Sequence, residues 1–422
     1  MTDKPDTSGL APRRAAHALL QQITTEGRLM SELIGGGALD RLDAADRARA
    51  QRLATEALRG LDRADRLLKP HLKKNPPIFV RNALRLGVAE IGQGEAAHGV
   101  VNAYVEIVAR NKRTSSLKGL VNAVLRKVTA AAWDAAPVPI MPPWLRQPLV
   151  AAWGRKAMAA MEKAHFAGAP LDLTAKDPAT VAAATGGTVL PTGTVRLANA
   201  GQVSTLPGYD TGDWWVQDAA AAIPVTLLGD VTGLRVLDLC AAPGGKTLQL
   251  AAAGAQVTAV DASAGRMARV AENLTRTKLT ADTAVSDAFD VTGQWDAVLL
   301  DAPCSATGTI RRHPDLPHAK DGAEFAMLID QQSAMIDHAL GLLRPGGRLV
   351  FCTCSLLPDE GEVQVEEALA RHDLTVDRAA LARPGLDPAW ITPEGGLRLR
   401  PDFWADLGGM DGFYMAVLTK PA

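Results

Sequence analysis

The sequence predicts a multidomain chain: an all-α domain in front, a small insert, and a doubly wound α/β domain behind, over 422 residues. Three observations predict it. Through residues 12–132, apolar residues recur at three- and four-residue spacing with Arg and Glu between them, the period of amphipathic helices. From Leu234 the pattern becomes strand, loop and helix, repeated, as in a doubly wound sheet. Charge divides the chain in the same way: residues 1–130 hold 22 Lys and Arg against 13 Asp and Glu, a net of +9, and the rest 23 against 33, or −10. A basic module aimed at a polyanion fits that split, and so does a solvated basic helical face.

The helical pattern runs through Arg14–Leu20, Asp43–Leu61, Phe79–Ile91, Val100–Arg110 and Leu117–Val128. Breaks are expected at Gly35-Gly36-Gly37, Pro70, Pro76-Pro77 and Gly92–Gly99. This domain is placed at 1–133, and a Pro- and Ala-rich linker at 134–143. The next block, 144–215, opens with a helix pair at Trp144–His165. It continues in short apolar runs such as Gly193-Thr-Val-Arg-Leu, a small helical or α+β insert. The α/β domain is placed at 216–422. Its strands are expected at Leu234–Leu239, Gln256–Asp261, Thr283–Ser286, Asp296–Asp301 and Arg348–Cys354. Its helices are expected at Lys246–Ala253, Ala264–Thr277, Gly322–Leu343 and Pro358–Arg371. Leu397–Arg400 and Phe413–Val417 have no helix between them and read as an antiparallel pair at the sheet edge.

Apolar residues make up 47% of the chain and charged residues 22%, the balance of a globular protein. No apolar run approaches the roughly 20 residues of a membrane span. The first residues are polar and lack the pattern of a signal peptide, so a cytoplasmic location is expected. The four cysteines, Cys240, Cys304, Cys352 and Cys354, show no CxxC spacing, so neither a disulfide scaffold nor a metal site is expected.

The run Val236-Leu-Asp-Leu-Cys-Ala-Ala-Pro-Gly-Gly-Lys-Thr puts a Gly-rich turn between a buried strand and a helix, a nucleotide site by position. Cys240, Ala241, Ala242, Pro243, Gly244, Gly245 and Lys246 are therefore cofactor candidates. The GxxxxGK[ST] spacing of a phosphate-binding loop is absent, so a nucleoside cofactor without phosphate fits better. Asp261 ends the second strand, where an acid can hold ribose hydroxyls. Asp287 follows the third, where a carboxylate can accept from an adenine amino group, and Asp301 ends the fourth. With Asp238, an acid stands in or near the end of four consecutive strands, at the edge where open α/β sheets bind ligands. Each taken alone could equally be a helix cap or turn carboxylate.

Asp301-Ala-Pro-Cys-Ser and Phe351-Cys-Thr-Cys-Ser place Cys304 and Cys354 at strand ends beside that loop. Cys240 and Cys352 read as small buried hydrophobes. These motifs together resemble the RsmB/Nop2/Sun family of RNA cytosine-5 methyltransferases, from about Trp214 to Asp411-Gly-Phe-Tyr. Arg311-Arg-His-Pro-Asp and Val216-Gln-Asp resemble its bacterial small-subunit rRNA branch. Thr55-Glu-Ala-Leu-Arg-Gly, Ala83-Leu-Arg-Leu-Gly and Lys118-Gly-Leu-Val-Asn-Ala-Val-Leu-Arg resemble the NusB-like RNA-binding domain of that branch.

The resemblance implies S-adenosylmethionine as cofactor, 16S rRNA as partner, and a Rossmann-like domain with a mostly parallel seven-stranded sheet and an antiparallel edge strand. It implies Cys354 as nucleophile on carbon 6 of cytosine, Asp301 on the ring nitrogens, and Cys304 in product release. In one place the chain departs from the pattern: Leu171-Asp-Leu-Thr stands where the family usually has an Arg-Val-Asn-like strand, which puts an RNA contact there in doubt. A monomer is expected. The readings left open are the same chemistry on tRNA or 23S rRNA, a DNA cytosine-5 methyltransferase acting through Cys304, and a non-catalytic NusB-like RNA-binding factor.

Overall fold

The structure is a computed structural model that describes residues 9–198 and 201–421. It divides into two compact units, one of Met1–Gly168 with Ile310–Asp321 and one of Ala169–Thr309 with Gly322–Ala422. Helices α1 (Leu10–Glu26), α2 (Met30–Gly35), α3 (Ala44–Arg59), α4 (Leu61–Leu68), α5 (Ile78–Gly92), α6 (Ala97–Arg110), α7 (Lys118–Leu125), α8 (Ala130–Ala135) and α9 (Pro143–Ala167) build the first unit. Their apolar stripes meet in one core that includes Leu20, Ile23, Leu58, Leu84, Val88, Val108 and Leu125. Asp43 starts α3 by accepting from the Asp46 amide, and Thr129 starts α8 by accepting from Ala132. Glu90 of α5 lies inside this core, where Arg13 of α1 grips it with two nitrogens and Tyr104 of α6 donates to it at 2.5 Å.

These units do not follow the boundaries expected from the sequence at 133, 144 and 216. The expected extended linker runs without helix or strand over residues 136–142, and its backbone is hydrogen-bonded to its neighbours. The Ile140 and Met141 amides donate to Asp62 and Glu162, and Arg63 donates to the carbonyls of Trp133 and Pro137. The expected helix pair at Trp144–His165 is α9, broken at Gly154 (φ 80°), and it belongs with the helical unit. The segment 310–321 also joins this unit. Its Asp315 accepts from the Met30 amide, and His318 bonds the Leu58 carbonyl at 3.2 Å.

The second unit begins with a small antiparallel sheet of β1 (Leu171–Ala175), β2 (Thr188–Val189), β3 (Val195–Leu197) and β4 (Trp214–Val216), ordered β2-β3-β1-β4, with α10 (Pro178–Thr185) against it. Asp172 of β1 forms a buried pair with Arg196 of β3, so the departing Leu171-Asp-Leu-Thr strand supplies an internal ion pair.

After α11 (Ala219–Leu227) the large sheet forms from β5 (Arg235–Leu239), β6 (Gln256–Asp261), β7 (Asp282–Val285), β8 (Trp295–Asp301), β9 (Leu343–Thr353), β10 (Thr375–Val376), β11 (Leu397–Leu399) and β12 (Phe413–Thr419). The helices of this part of the chain are α12 (Gly245–Ala252), α13 (Ala264–Thr277), α14 (Leu316–Ala319, in the first unit), α15 (Phe325–Gly341) and α16 (Glu362–Arg371).

The strand order is β10-β12-β9-β8-β5-β6-β7, with β11 also on β12. The run β9-β8-β5-β6-β7 is parallel, and β12 is antiparallel to β9. The mixed Rossmann-like class is the expected one, but the sheet has eight strands rather than seven. Its antiparallel β12 is interior, because β10 and β11 cover its outer edge. Ile223 and Leu250 pack one face with Val236 and Val350, and Ile336 and Val365 pack the other with Leu237 and Phe351. Strand alternation thus splits each strand between two cores. Both faces are covered, and the functional groups gather at the carboxyl ends of the parallel strands.

Candidate active site

A cavity of about 470 Å³ opens at the carboxyl ends of β5, β6, β7 and β8, within the ~300–1,000 Å³ range of small-molecule sites. Of the residues expected there, Cys240, Ala242, Asp261, Asp287, Asp301, Cys304 and Cys354 line it. Ala241, Pro243, Gly244, Gly245 and Lys246 do not; they shape the turn behind it. Cys240 leaves β5 in a left-handed conformation, φ 61°, which turns the chain across the strand ends. Gly244 has φ 102°, and a Cβ there would lie 3.2 Å from both Val270 methyls, so glycine suits the position on both counts.

Asp261 binds the turn to the sheet: it accepts from the Ala242 and Ser263 amides at 3.2 and 2.9 Å and pairs with Arg266 at 3.1 Å. Its Oδ2 takes both Ala242 and Arg266, while Oδ1, which accepts only from Ser263, keeps a second lone pair for a ligand. Asp287 accepts from the Phe289 amide, so it is a turn carboxylate that also faces the cavity. Asp238 is off the cavity, fully buried under Thr247, whose hydroxyl donates to it at 2.6 Å. Burial pushes its carboxyl up to about 7 against that hydrogen bond. Of the four acids expected at the strand ends, Asp261, Asp287 and Asp301 line the cavity, and Asp238, inside β5, is buried away from it.

Asp301 is held from two sides. Lys246 donates to one oxygen at 2.7 Å, and the Cys352 thiol donates to the other at 3.5 Å. Burial draws the Lys246 ammonium down, but the charge of Asp301 and its neighbours outweighs this and raises it. Cys352 is fully buried, as a small hydrophobe would be, yet it also supports the carboxylate. Cys240 is pushed up to about 12 by burial, then by the charges of Asp301, Asp261 and Asp238, which disfavours its thiolate.

Cys304 and Cys354 come from the loops after adjacent strands β8 and β9, and their sulfurs lie 3.5 Å apart, so one thiol can donate to the other. That hydrogen bond, then burial, then the charges of Cys354 and Glu360 hold the Cys304 thiol well above the usual range. The loop returns through a tight approach: the Gly308 amide donates to the Cys354 carbonyl, and a Cβ on Gly308 would fall 2.0 Å from the Gly412 oxygen.

Arg266, Gln331 and Met335 also line the cavity and had not been singled out. Arg266 carries a legible signal, a cation in the first turn of a helix, where the dipole disfavours it. Gln331 and Met335 lie one helical turn apart on α15, a spacing that marks a shared face but not a ligand. Among the described residues no group of three or more His, Cys, Asp or Glu could hold a metal, and no helix is long and apolar enough to cross a membrane.

The donor set suits a nucleoside cofactor with a cationic tail. Asp261 and Asp301 end the strands on either side of β5, Asp287 follows β7 on the far side of β6, and the turn lacks a phosphate cradle. Two family models match the chain, 16S rRNA methyltransferase RsmB/F over residues 225–419 and the NusB family over residues 10–130. The ribosomal RNA small subunit methyltransferase B of Pseudomonas putida is 35% identical over 97% of this chain and 98% of that protein. Its counterpart from Vibrio cholerae is 33% identical over 97% of each. The Erwinia tasmaniensis protein of the same name is 43% identical over a shorter match, 54% of this chain and 51% of that one. The crystal structure of PH0851 shares the fold, with a TM-score of 0.74 over 98% of this chain and 99% of that one at 21% identity. The chain belongs to the RsmB/F family of S-adenosylmethionine-dependent methyltransferases, with a NusB-family helical domain at its front.

Proposed function

We propose that the chain methylates carbon 5 of a cytosine in 16S rRNA, with Cys354 as nucleophile and Cys304 as the group that aids product release. The observation that carries this reading is the pair of thiols 3.5 Å apart at the wall of the cofactor cavity. One thiol would serve a simple methyl transfer no better than none. Two neighbouring thiols suit a reaction in which one bonds the base and the other attends its departure. The names of the full-length relatives support ribosomal RNA as the substrate class.

S-adenosylmethionine, when bound, supplies an electrophilic methyl group. Asp261 and Asp287 would hold its nucleoside end. Carbon 5 of cytosine is a weak nucleophile, and a thiolate bonded at carbon 6 makes the ring enamine-like and able to attack. Asp301, placed by Lys246 and Cys352, faces the cavity where, carrying a proton, it can donate to ring nitrogen 3 as negative charge develops there. After transfer, carbon 5 gives its proton to water or a base in the cavity, its bonding pair restores the carbon 5–carbon 6 double bond, and the carbon 6–sulfur pair leaves with Cys354 as thiolate. Cys304 sits where its thiol can hydrogen-bond the departing Cys354 sulfur. The base must leave its stack to reach this cavity.

The test is to trap the covalent intermediate. C304A mixed with 16S rRNA and S-adenosylmethionine is expected to accumulate a protein–RNA complex that survives denaturing electrophoresis, and C354A to form none. The reverse pattern would make Cys304 the nucleophile and overturn the assignment.

A further inference from the structure

Behind the two cysteines lies a group that the reaction as described does not use. Glu360 follows β9 in a short turn, and its side chain is fully buried. It accepts from the Ser305 amide at 2.9 Å, from the Ser305 and Ser355 hydroxyls, and from Gln332 of α15 at 3.1 Å. None of these partners is a cation. A buried carboxylate without an ion pair is costly, and an apolar residue of like volume would hold a core more cheaply. The site is built instead around what it grips. Ser305 follows Cys304 and Ser355 follows Cys354, and the two hydroxyls are themselves 3.2 Å apart. On the other side of each cysteine the same cluster reaches again. Gln332 donates to the Pro303 carbonyl at 2.8 Å, and Thr353 donates to the Glu360 carbonyl at 2.7 Å. Each cysteine is thus tied on both flanks to one buried hub.

We propose that Glu360 is a positioning residue for the two-cysteine reaction, its carboxylate joining the serine after each cysteine and so fixing the separation of the two thiols. This rests on the reading of Cys354 and Cys304 given above. Neighbouring strands run about 4.8 Å apart, so thiols on two loops held side by side can meet at 3.5 Å, provided the loops keep their register beyond the strand ends. Backbone bonds from Ala302 to Cys352 and from Gly308 to Cys354 hold the two chains side by side, and the shared carboxylate fixes the serine next to each cysteine. Its charge also falls on Cys304, adding to the hydrogen bond with Cys354 and to burial in keeping that thiol protonated. Glu360 does not line the cofactor cavity, so its effect reaches the substrate only through the cysteines.

The experiment uses the full chain and a 16S rRNA transcript, with E360Q as the first variant. Gln keeps the volume but turns an amide donor towards a ring of donors. Expected is a fall of about 100-fold in kcat, the order of loss from a misplacement of about 1 Å, with KM for RNA and S-adenosylmethionine affinity within about threefold of the parent. The covalent complex should also outlive that of the parent. S305A and S355A each remove one arm and keep the fold accessible if E360Q is unstable. Each should lower kcat with KM unchanged, and neither loss should add in full to that of E360Q. The proposal is overturned if kcat of E360Q stays within about threefold of the parent, if cofactor affinity and melting temperature fall in step with activity, or if the serine losses simply add. C304A run alongside tests the underlying reading. If it retains no complex, the two-cysteine assignment fails and takes this proposal with it; if it does retain one while E360Q behaves as the parent, only the role of Glu360 fails.

Discussion

The contact between Cys304 and Cys354 makes two chemically identical side chains unequal. Cys304 is raised first by its hydrogen bond with Cys354, and this effect exceeds burial and the nearby charges. Removing the partner should therefore lower it. In the parent protein, iodoacetamide labelling of Cys304, followed by peptide mass spectrometry across pH, should show a midpoint above the ordinary cysteine value of about 8.5. In C354A the hydrogen bond and one neighbouring charge are gone, and the midpoint should move down. The sign follows because both lost interactions disfavour the thiolate. An unchanged midpoint would mean that burial, not Cys354, governs the thiol. The positions of both cysteines were legible in the sequence, since each follows an apolar strand. Their 3.5 Å separation was not, because it depends on Glu360, 56 residues beyond Cys304. Pro358-Asp-Glu looks like the acidic first turn of a solvated helix, and only tertiary pairing with the serines shows otherwise.

Single elements were read from the sequence most accurately where local chemistry decides them. Strand β6 and helix α13 run as expected, because Asp261 ends one and the Ser263 cap starts the other, its hydroxyl accepting from Arg266. Long-range packing decides the rest. Segment 310–321 carries basic and acidic residues suited to a solvated loop, yet it packs with α1 and α2 of the helical unit. Strand β9 starts at Leu343, earlier than the expected Arg348, by carrying Arg344-Pro-Gly-Gly within it. Glu90 is the other case: a lone acid in an apolar helix face, fully buried with Arg13 and Tyr104. E90A would strand a buried guanidinium and a phenol, and breaking such a pair costs ~3–5 kcal/mol. Thermal unfolding followed by circular dichroism should then show the helical transition about 10 °C lower, at ~2–4 °C per kcal/mol for a unit of this size. R13M/E90L, which removes both charges, should lose much less. A loss in E90A no greater than that of a surface substitution would show that the network is not a staple of α1, α5 and α6.

At the scale of the whole chain, charge is partitioned. A helical half of net +9 suits a phosphate backbone, and three acids of the sheet half, Asp261, Asp287 and Asp301, line the cavity at the strand ends. The helical unit also buries histidines, and this makes its stability depend on pH. His318 is lowered to about 4, first by burial, against its hydrogen bond to the Leu58 carbonyl. His165 is lowered to about 3, first by burial and then by the charges of Arg311 and Arg59. Both fold neutral, whereas the unfolded chain takes up protons near pH 6.5. Their contribution is therefore complete above pH 6.5 and is lost as pH falls from there towards about 4 for His318 and about 3 for His165. By pH 5 each costs about 2 kcal/mol, enough to lower the melting temperature by several degrees. Carboxylates titrate over the lower part of this range, so the histidine share is isolated by substitution. In H165N/H318N the decrease in melting temperature between pH 7 and pH 5 should shrink, even if the variant is less stable than the parent at pH 7. An undiminished decrease in that variant would assign the acid sensitivity to other groups.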